Sequence, residues 1–257
     1  MAKLVYALGT LGIDFGSEER KDSFTQELMG KDLLEYLYDN PWAAQNLIWT
    51  LNLDATPIYA IVPMGPFAIV IYERLRSFLA DTKVERVSIP GYIGSTIKLM
   101  SGQTVPVIVP EVRGMYSWTL NALSESAMRN MTVSETMTEE RVRMAENQLK
   151  DYLNRIYYDY RNLGMTPQER ALNFAATNAF QMVSALVTET EEGKRRVLDS
   201  IQVEKNSICR PDSDCYDVKL RFVDPDNNQA KSIYRYTVDV SEVLPVMIGN
   251  VKSWDER

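Results

Sequence analysis

The pattern of apolar and polar positions changes character along the chain: mixed segments first, then a period near 3.6, then a period of 2. KLVYAL, residues 3–8, predicts a short strand, and Gly9, Gly12 and Gly16 in the following GTLGIDFG predict a glycine-punctuated loop. DLLEYLY, from Asp32 to Tyr38, predicts a helix, and Asn40 with Pro41 starts a second in which Leu47, Ile48 and Leu51 share a face. PIYAIVPM predicts a strand bounded by Pro57 and Gly65-Pro66, after which FAIVIYERLRSFLA has the length and apolar content of a buried helix. RVSIPGYI, STIKLM and TVPVIVP follow, the last two joined by a turn at Ser101-Gly102-Gln103, and Pro106 assigns its strand to a sheet edge.

The strongest helical signal runs from Thr138 to Leu163, where Val142, Ala145, Leu149, Tyr152, Ile156, Tyr160 and Leu163 recur at steps of three and four. Glu139 and Glu140 suit its N-terminus and Gly164 its C-terminus. TPQE follows at once as a capping box, with Thr166 as N-cap and Glu169 reaching back. It predicts a second helix to about Glu192 that buries Leu172, Ala175, Ala179, Met182 and Leu186. So short a connection predicts an antiparallel helical hairpin. Beyond it, SIQVE reads as a strand, and CYDVKLRFV alternates Tyr216, Val218, Leu220 and Phe222 with Asp217, Lys219 and Arg221. After DPDNNQ, SIYRYTVDV alternates in the same way, which predicts an antiparallel hairpin with one wet face. The fold class is therefore expected to be α+β, one domain over residues 1–257, with antiparallel sheet elements at both ends of the chain and a central long antiparallel helical hairpin.

Composition narrows function more than fold. The 257 residues, 45% hydrophobic and 25% charged, have the make-up of an ordinary globular protein. A net charge of -7 argues against nucleic acid or an anionic membrane as partner, and the run Lys194, Arg195, Arg196 is too short to reverse that field. MAKLVYALGT is too short an apolar start for a signal peptide or a membrane span, and with only two cysteines the chain is expected to be cytoplasmic. The chain has no histidine. Serine and cysteine hydrolase triads, HExxH zinc sites and imidazole acid-base catalysis are thereby excluded, which leaves carboxylate, lysine, tyrosine or substrate-assisted chemistry.

GTLGIDFG lacks the Lys-Ser/Thr of a phosphate loop and the spacing of a dinucleotide fingerprint, so it reads as a structural turn and no cofactor is expected. Cys209 and Cys215 stand in ICRPDSDCYD beside Asp212, Asp214 and Asp217. Three fates are open to them: buried free thiols, which a cytosolic chain favours; a metal site, which lacks a second soft pair; and a disulfide. No metal site is assigned. PEVRGMYSW gathers Arg113, Tyr116 and Trp118, residue types concentrated where proteins grip peptides or partners, although packed aromatic core with a salt-bridged arginine is the simpler account.

YALGTLGIDFGSEERKDSF resembles the C-terminal domain of unknown function of PatA and PatG type cyanobactin maturation proteases. The resemblance continues through NPW, LIWTLNLDATPIYAI, ERVSIPG, RGMYSW, RNLGMTPQERALNFAATNAFQ, ICRPDSDC and YRYTVDVSEVLPV, from about residue 5 to 254. It implies a place in the biosynthesis of ribosomally made, modified and usually macrocyclic peptides, alongside a subtilisin-like protease none of whose triad lies in this sequence. It brings no catalytic residue. Some relatives carry a cysteine where Val109 stands, which weakens any shared thiolate site. Because Met1 falls at the domain's own beginning, the chain is either an excised domain or a free-standing version acting in trans. The expected function is a non-catalytic scaffold or recognition module, whose expected partners are a precursor peptide, other maturation enzymes, or a second copy in a homodimer. The alternative is a peptide-modifying enzyme using carboxylates or tyrosines, with Asp14, Glu111 and Arg113 as its polar candidates.

Overall fold

Lys3–Asp14 (β1) runs as one strand straight through Gly9 and Gly12, and of the three glycines only Gly16, at φ 78°, lies in the bend beyond it. Its first half pairs antiparallel with Arg86–Lys98 (β4), and its second half with Ile48–Leu53 (β2). Gly9 and Gly12 are there for close approach, not for a turn. A Cβ at Gly9 would strike the carbonyl oxygen of Asn52, and one at Gly12 would lie 2.8 Å from Thr50 Oγ1. The computed structural model describes residues 3–129, 139–178, 197–224 and 231–256.

β2 pairs antiparallel with Thr56–Ile61 (β3), β3 pairs parallel with Thr104–Pro110 (β5), and β5 pairs antiparallel with β4. Because β4 also pairs with β1, the order β1-β2-β3-β5-β4 closes into a five-stranded barrel, and Tyr116–Trp118 (β6) extends it along β4. Ile48, Ala60, Leu99, Val105 and Val107 form one buried cluster of this unit. Glu18–Glu27 (α1), Leu33–Asp39 (α2), a 3-10 turn at Pro41–Asn46 and Ala68–Ala80 (α3) complete residues 1–118. α3 turns Ile71 and Leu75 inward and packs on the 3-10 turn and β1.

Two expectations fail in this unit. The helix expected from Pro41 through Leu51 is a 3-10 turn followed by β2, because Ile48, Trp49, Thr50 and Leu51 are all buried and a strand enclosed on both faces shows no alternation. Pro106 does not lie on an edge strand. β5 sits between β3 and β4, and Pro106 falls beside the irregularity between Ile93 and Thr96, where the ladder is already broken.

Residues 119–257 form a second compact unit. Leu120–Arg129 (α4), Glu139–Asn154 (α5), a π turn at Arg155–Asp159 and Pro167–Thr177 (α6) precede an antiparallel sheet. Its strands are Val197–Lys205 (β7), Cys215–Val223 (β8), Lys231–Asp239 (β9) and Val246–Glu256 (β10), in the order β10-β9-β8-β7. β8 and β9 pair from Cys215↔Asp239 to Val223↔Lys231, as the alternation predicts, with Tyr216, Val218, Leu220, Phe222, Tyr234, Tyr236 and Val238 buried.

The central long helical hairpin is not formed, and the expected fold class is corrected to a closed barrel with one parallel pair followed by a helix-covered sheet. Ala145, Leu149, Tyr152 and Ile156 are buried as the periodicity requires, but the helix ends in the π turn, leaving Tyr160 37% and Leu163 43% exposed. The capping box is present, with Glu169 N–H donating to Thr166 Oγ1 and Glu169 accepting from the Thr166 N–H, yet α6 ends at Thr177 and packs on β7 and β8. Each apolar stripe is therefore covered by sheet rather than by a long partner helix. Residues 179–196, which include Ala179, Met182, Leu186 and the basic run 194–196, lie outside the described residues. Among the described residues no helix is long and apolar enough to cross a membrane.

Candidate functional site

The outer face of the second sheet is the polar side of its period-2 pattern, yet Asp217 on that face is only 4% exposed. A carboxylate so enclosed needs partners. Asn206 Nδ2 donates to Asp217 Oδ1 over 2.8 Å, Thr237 Oγ1 donates to the same oxygen over 2.6 Å, and Arg235 Nη1 lies 3.5 Å from Oδ2. Strand register accounts for the grouping: Asp217 stands opposite Thr237, and Arg235 is two positions along β9 on the same face.

The cover is the 206–214 connection between β7 and β8. Cys209 and Cys215 are joined by a disulfide, with Cα atoms 5.9 Å apart, which ties this connection back to the start of β8. Neither sulfur is a free thiol or a metal ligand, and the cysteine count no longer argues for a reducing compartment. The local cause is a reversal of the chain: Ser213 N–H donates to Arg210 O over 3.1 Å and Asp212 takes a positive φ of 69°, so Cys209 is returned to Cys215. Asn206 fixes the other end, with its N–H donating to Cys215 O over 2.9 Å and its Oδ1 accepting from Ile208 N–H over 2.7 Å.

The opposite wall is β10, whose register against β9 jumps from Ile248↔Thr237 to Lys252↔Arg235. Residues 249–251 face Tyr236 alone, and Gly249, at φ 70°, supplies the left-handed conformation that this bulge requires. Between connection and bulge lies a cleft of about 500 Å³, within the range of small-ligand sites. Its charged lining is Lys205, Arg210, Arg235 and Lys252 against Glu204 and Asp217. Glu204 is paired with Lys219, and Lys205 Nζ lies 3.4 Å from Asp214. Among the described residues Arg210 and Lys252 have no ion pair, so this cleft is locally cationic in a chain of net charge -7.

The segment singled out from sequence lies in the first unit. After β5 the chain kinks through a 3-10 turn at Val112–Gly114 and resumes as β6 against β4. Arg74 on α3 holds the kink, donating from Nη1 to Val112 O over 2.5 Å and to Met115 O over 3.3 Å. Arg113 and Tyr116 are 73% (side chain) and 54% exposed, whereas Trp118 is 7% exposed and faces inward. Arg113 Nε donates to Glu111 Oε1 over 2.9 Å, and this bond holds the Glu111 carboxyl below the usual carboxylate range. Asp14 is elsewhere: its Oδ1 accepts from Gly16 N–H over 2.6 Å and from Met100 N–H over 3.0 Å, tying the end of β1 to the β4–β5 turn. Glu111 N–H bonds to Pro90 O, Pro90 pairs with Tyr6, and Asp14 lies at the far end of β1 from Tyr6, roughly 25 Å away by strand rise. The three polar candidates of the enzymatic alternative do not converge. In the sequence Asp217 is marked only as a neighbour of the two cysteines, and Asn206, Arg235 and Lys252 are not singled out as site residues, since their only signal is a polar position on an alternating strand or loop.

Comparison with known proteins bears on both units. The sequence pattern of the family described as PatG C-terminal matches residues 126–254. A solved structure described as a PatG domain of unknown function is 40% identical, with a TM-score of 0.84, over 99% of this chain and 100% of that one. No curated protein matches. With a match of this identity over its whole length, the chain belongs to the PatG C-terminal domain family.

Proposed function

We propose that the chain is a non-catalytic recognition module in cyanobactin-type peptide maturation, holding a precursor peptide or a maturation enzyme by strand addition at β10. The observation that carries this reading is the edge itself. β10 spans Val246–Glu256, pairs with β9 alone among the described residues, and exposes Val246, Ile248 and Trp254. An edge of this length, roughly 35 Å, matches the way extended peptides dock on sheets, with main-chain bonds supplying affinity and alternate side chains supplying choice. Lys252, Asp255 and Glu256 guard its second half against indiscriminate pairing, which leaves Val246–Ile248 as the receptive part. The enzymatic alternative is weaker, since the chain has no histidine and Glu111 is held ionised by Arg113 in a place remote from Asp14.

The test is size exclusion with light scattering on the chain alone and mixed with precursor peptide and maturation protease. Co-elution that is lost in Val246→Lys, which puts a charge on the receptive edge, is the expected result. A chain that stays alone in every mixture overturns the reading, and a stable dimer lost in the same variant makes the occupant a second copy.

A further inference from the structure

We infer that the cleft between the 206–214 connection and the β10 bulge binds the carboxylate of a peptide, with Arg235 as its anchor. This deepens the recognition reading by naming a ligand chemistry, and it rests on that reading only for the body of the ligand.

Arg235 is set in place before any ligand arrives. Its guanidinium carbon lies 5.9 Å from the centre of the Trp254 ring, and its Nη1 is held 3.5 Å from Asp217 Oδ2. That single long contact to a carboxylate already occupied by Asn206 and Thr237 leaves most of the guanidinium fork undonated. A planar fork of this kind matches a carboxylate in two parallel bonds, and holding it in advance lowers the ordering cost of binding. Lys252, which pairs with Arg235 across the strands, and Arg210 on the opposite wall add positive charge at the rim. Asp217 is not the ligand's competitor. Both its oxygens face donors of the protein, so its charge serves to position Arg235, and Arg210 and Lys252 leave the lining with two positive charges in excess.

The surroundings point to a peptide rather than a small inorganic anion. Ile208, 91% exposed, and Ile248, 41% exposed, line the cleft and offer apolar contact beside the cationic floor. An apolar side chain next to a carboxylate is the chemistry of a peptide's C-terminal residue, and an acidic side chain within a peptide presents the same anion.

The probes are three acetylated pentapeptides of alanine and valine: one with a free C-terminal carboxylate, one amidated, and one amidated with a central glutamate. Each is titrated into the full chain and followed by the indole N–H of Trp254 and the amides of residues 206–210 and 249–252. The acid is expected to shift these signals and to bind at least tenfold tighter than the plain amide. Arg235→Gln should weaken it about ten- to a hundredfold, the scale of a lost bond to a charged group. Because that change also strips Asp217 of its cation, Lys252→Gln on the exposed rim serves as a second variant, expected to weaken binding several-fold with an unchanged melting temperature. Binding of the glutamate amide as well assigns the site to any peptide carboxylate; binding of the acid alone assigns it to a C-terminus. Equal binding of acid and plain amide, or no shift at millimolar peptide, overturns the inference. Co-elution with partners that persists in that case leaves the strand-addition reading standing.

Discussion

Tyr152 on α5 and Tyr236 on β9 are 0% and 1% exposed, and their hydroxyls lie 3.0 Å apart. One donates to the other, which is how two phenols are tolerated in a core. Burial raises both above the ordinary phenol value of 10.0, and each must stay protonated in the folded chain. The sign follows: a group whose folded value is raised contributes its full stability below the unfolded value and loses it as pH rises past that point. Stability should therefore hold to about pH 9 and fall from about pH 10 upward. At pH 7, Tyr152→Phe should cost about 1–3 kcal/mol by stranding the Tyr236 hydroxyl, and the Tyr152→Phe, Tyr236→Phe pair should cost less than the sum of the singles. Urea unfolding of the wild type, both single variants and the pair at about pH 7 and about pH 11 measures both effects; additive losses and a flat alkaline limb would show that the hydroxyls are not coupled.

At the scale of elements, close approach explains both the barrel and the way its sequence misleads. Gly91 on β4 stands between Val5 of β1 and Pro110 of β5. A Cβ there would meet the carbonyl oxygen of Val109 and lie 2.8 Å from Ile108 Cγ2 and 3.0 Å from Pro110 Cα, whereas at Gly94 the nearest atom is 3.6 Å away. Gly91→Ala should cost about 1–3 kcal/mol or more by forcing β4 off β5, and Gly94→Ala far less, as read from denaturation midpoints. Equal losses would mean that the glycines act through chain entropy alone.

The same crowding hid the second half of β1, beyond the strand expected over residues 3–8. Gly9 and Gly12 read as punctuation, though their missing side chains are what lets β2 lie so near. β2 read as helix because four consecutive buried residues carry no period, and spacing alone cannot tell such a strand from a helix. By contrast, the β8–β9 alternation and the TPQE cap were legible, since each is a local signal decided by a few neighbours. The 206–214 cleft was not legible. Its residues come from the end of β7 and the connection after it, the start of β8, the middle of β9 and the bulge of β10, and only the register of these strands brings Asn206, Asp217, Arg235 and Lys252 together.

At the scale of the whole molecule, each unit has what a chain of its size needs to fold alone. Residues 1–118 close a barrel with a buried cluster of its own, and closure leaves its five strands no edge. Residues 119–257 cover one face of a four-stranded sheet with α5 and α6, and Arg170 on α6 fastens the end of β9 by donating from Nη2 to Val240 O over 2.9 Å. The division falls where Thr119 Oγ1 accepts from the Ala122 N–H and so caps the start of α4. Both pieces exceed the length, roughly 40 residues, below which a core needs covalent or metal support. Expressed separately, 1–118 and 119–257 should each give dispersed amide spectra and a cooperative melt. Because every residue lining the cationic cleft belongs to the second piece, that piece should also retain the acid-peptide affinity of the full chain. A second piece that folds but binds tenfold more weakly would show that the cleft takes its working shape only in the intact chain, and a first piece without dispersed amides would show that barrel closure alone does not make an autonomous unit.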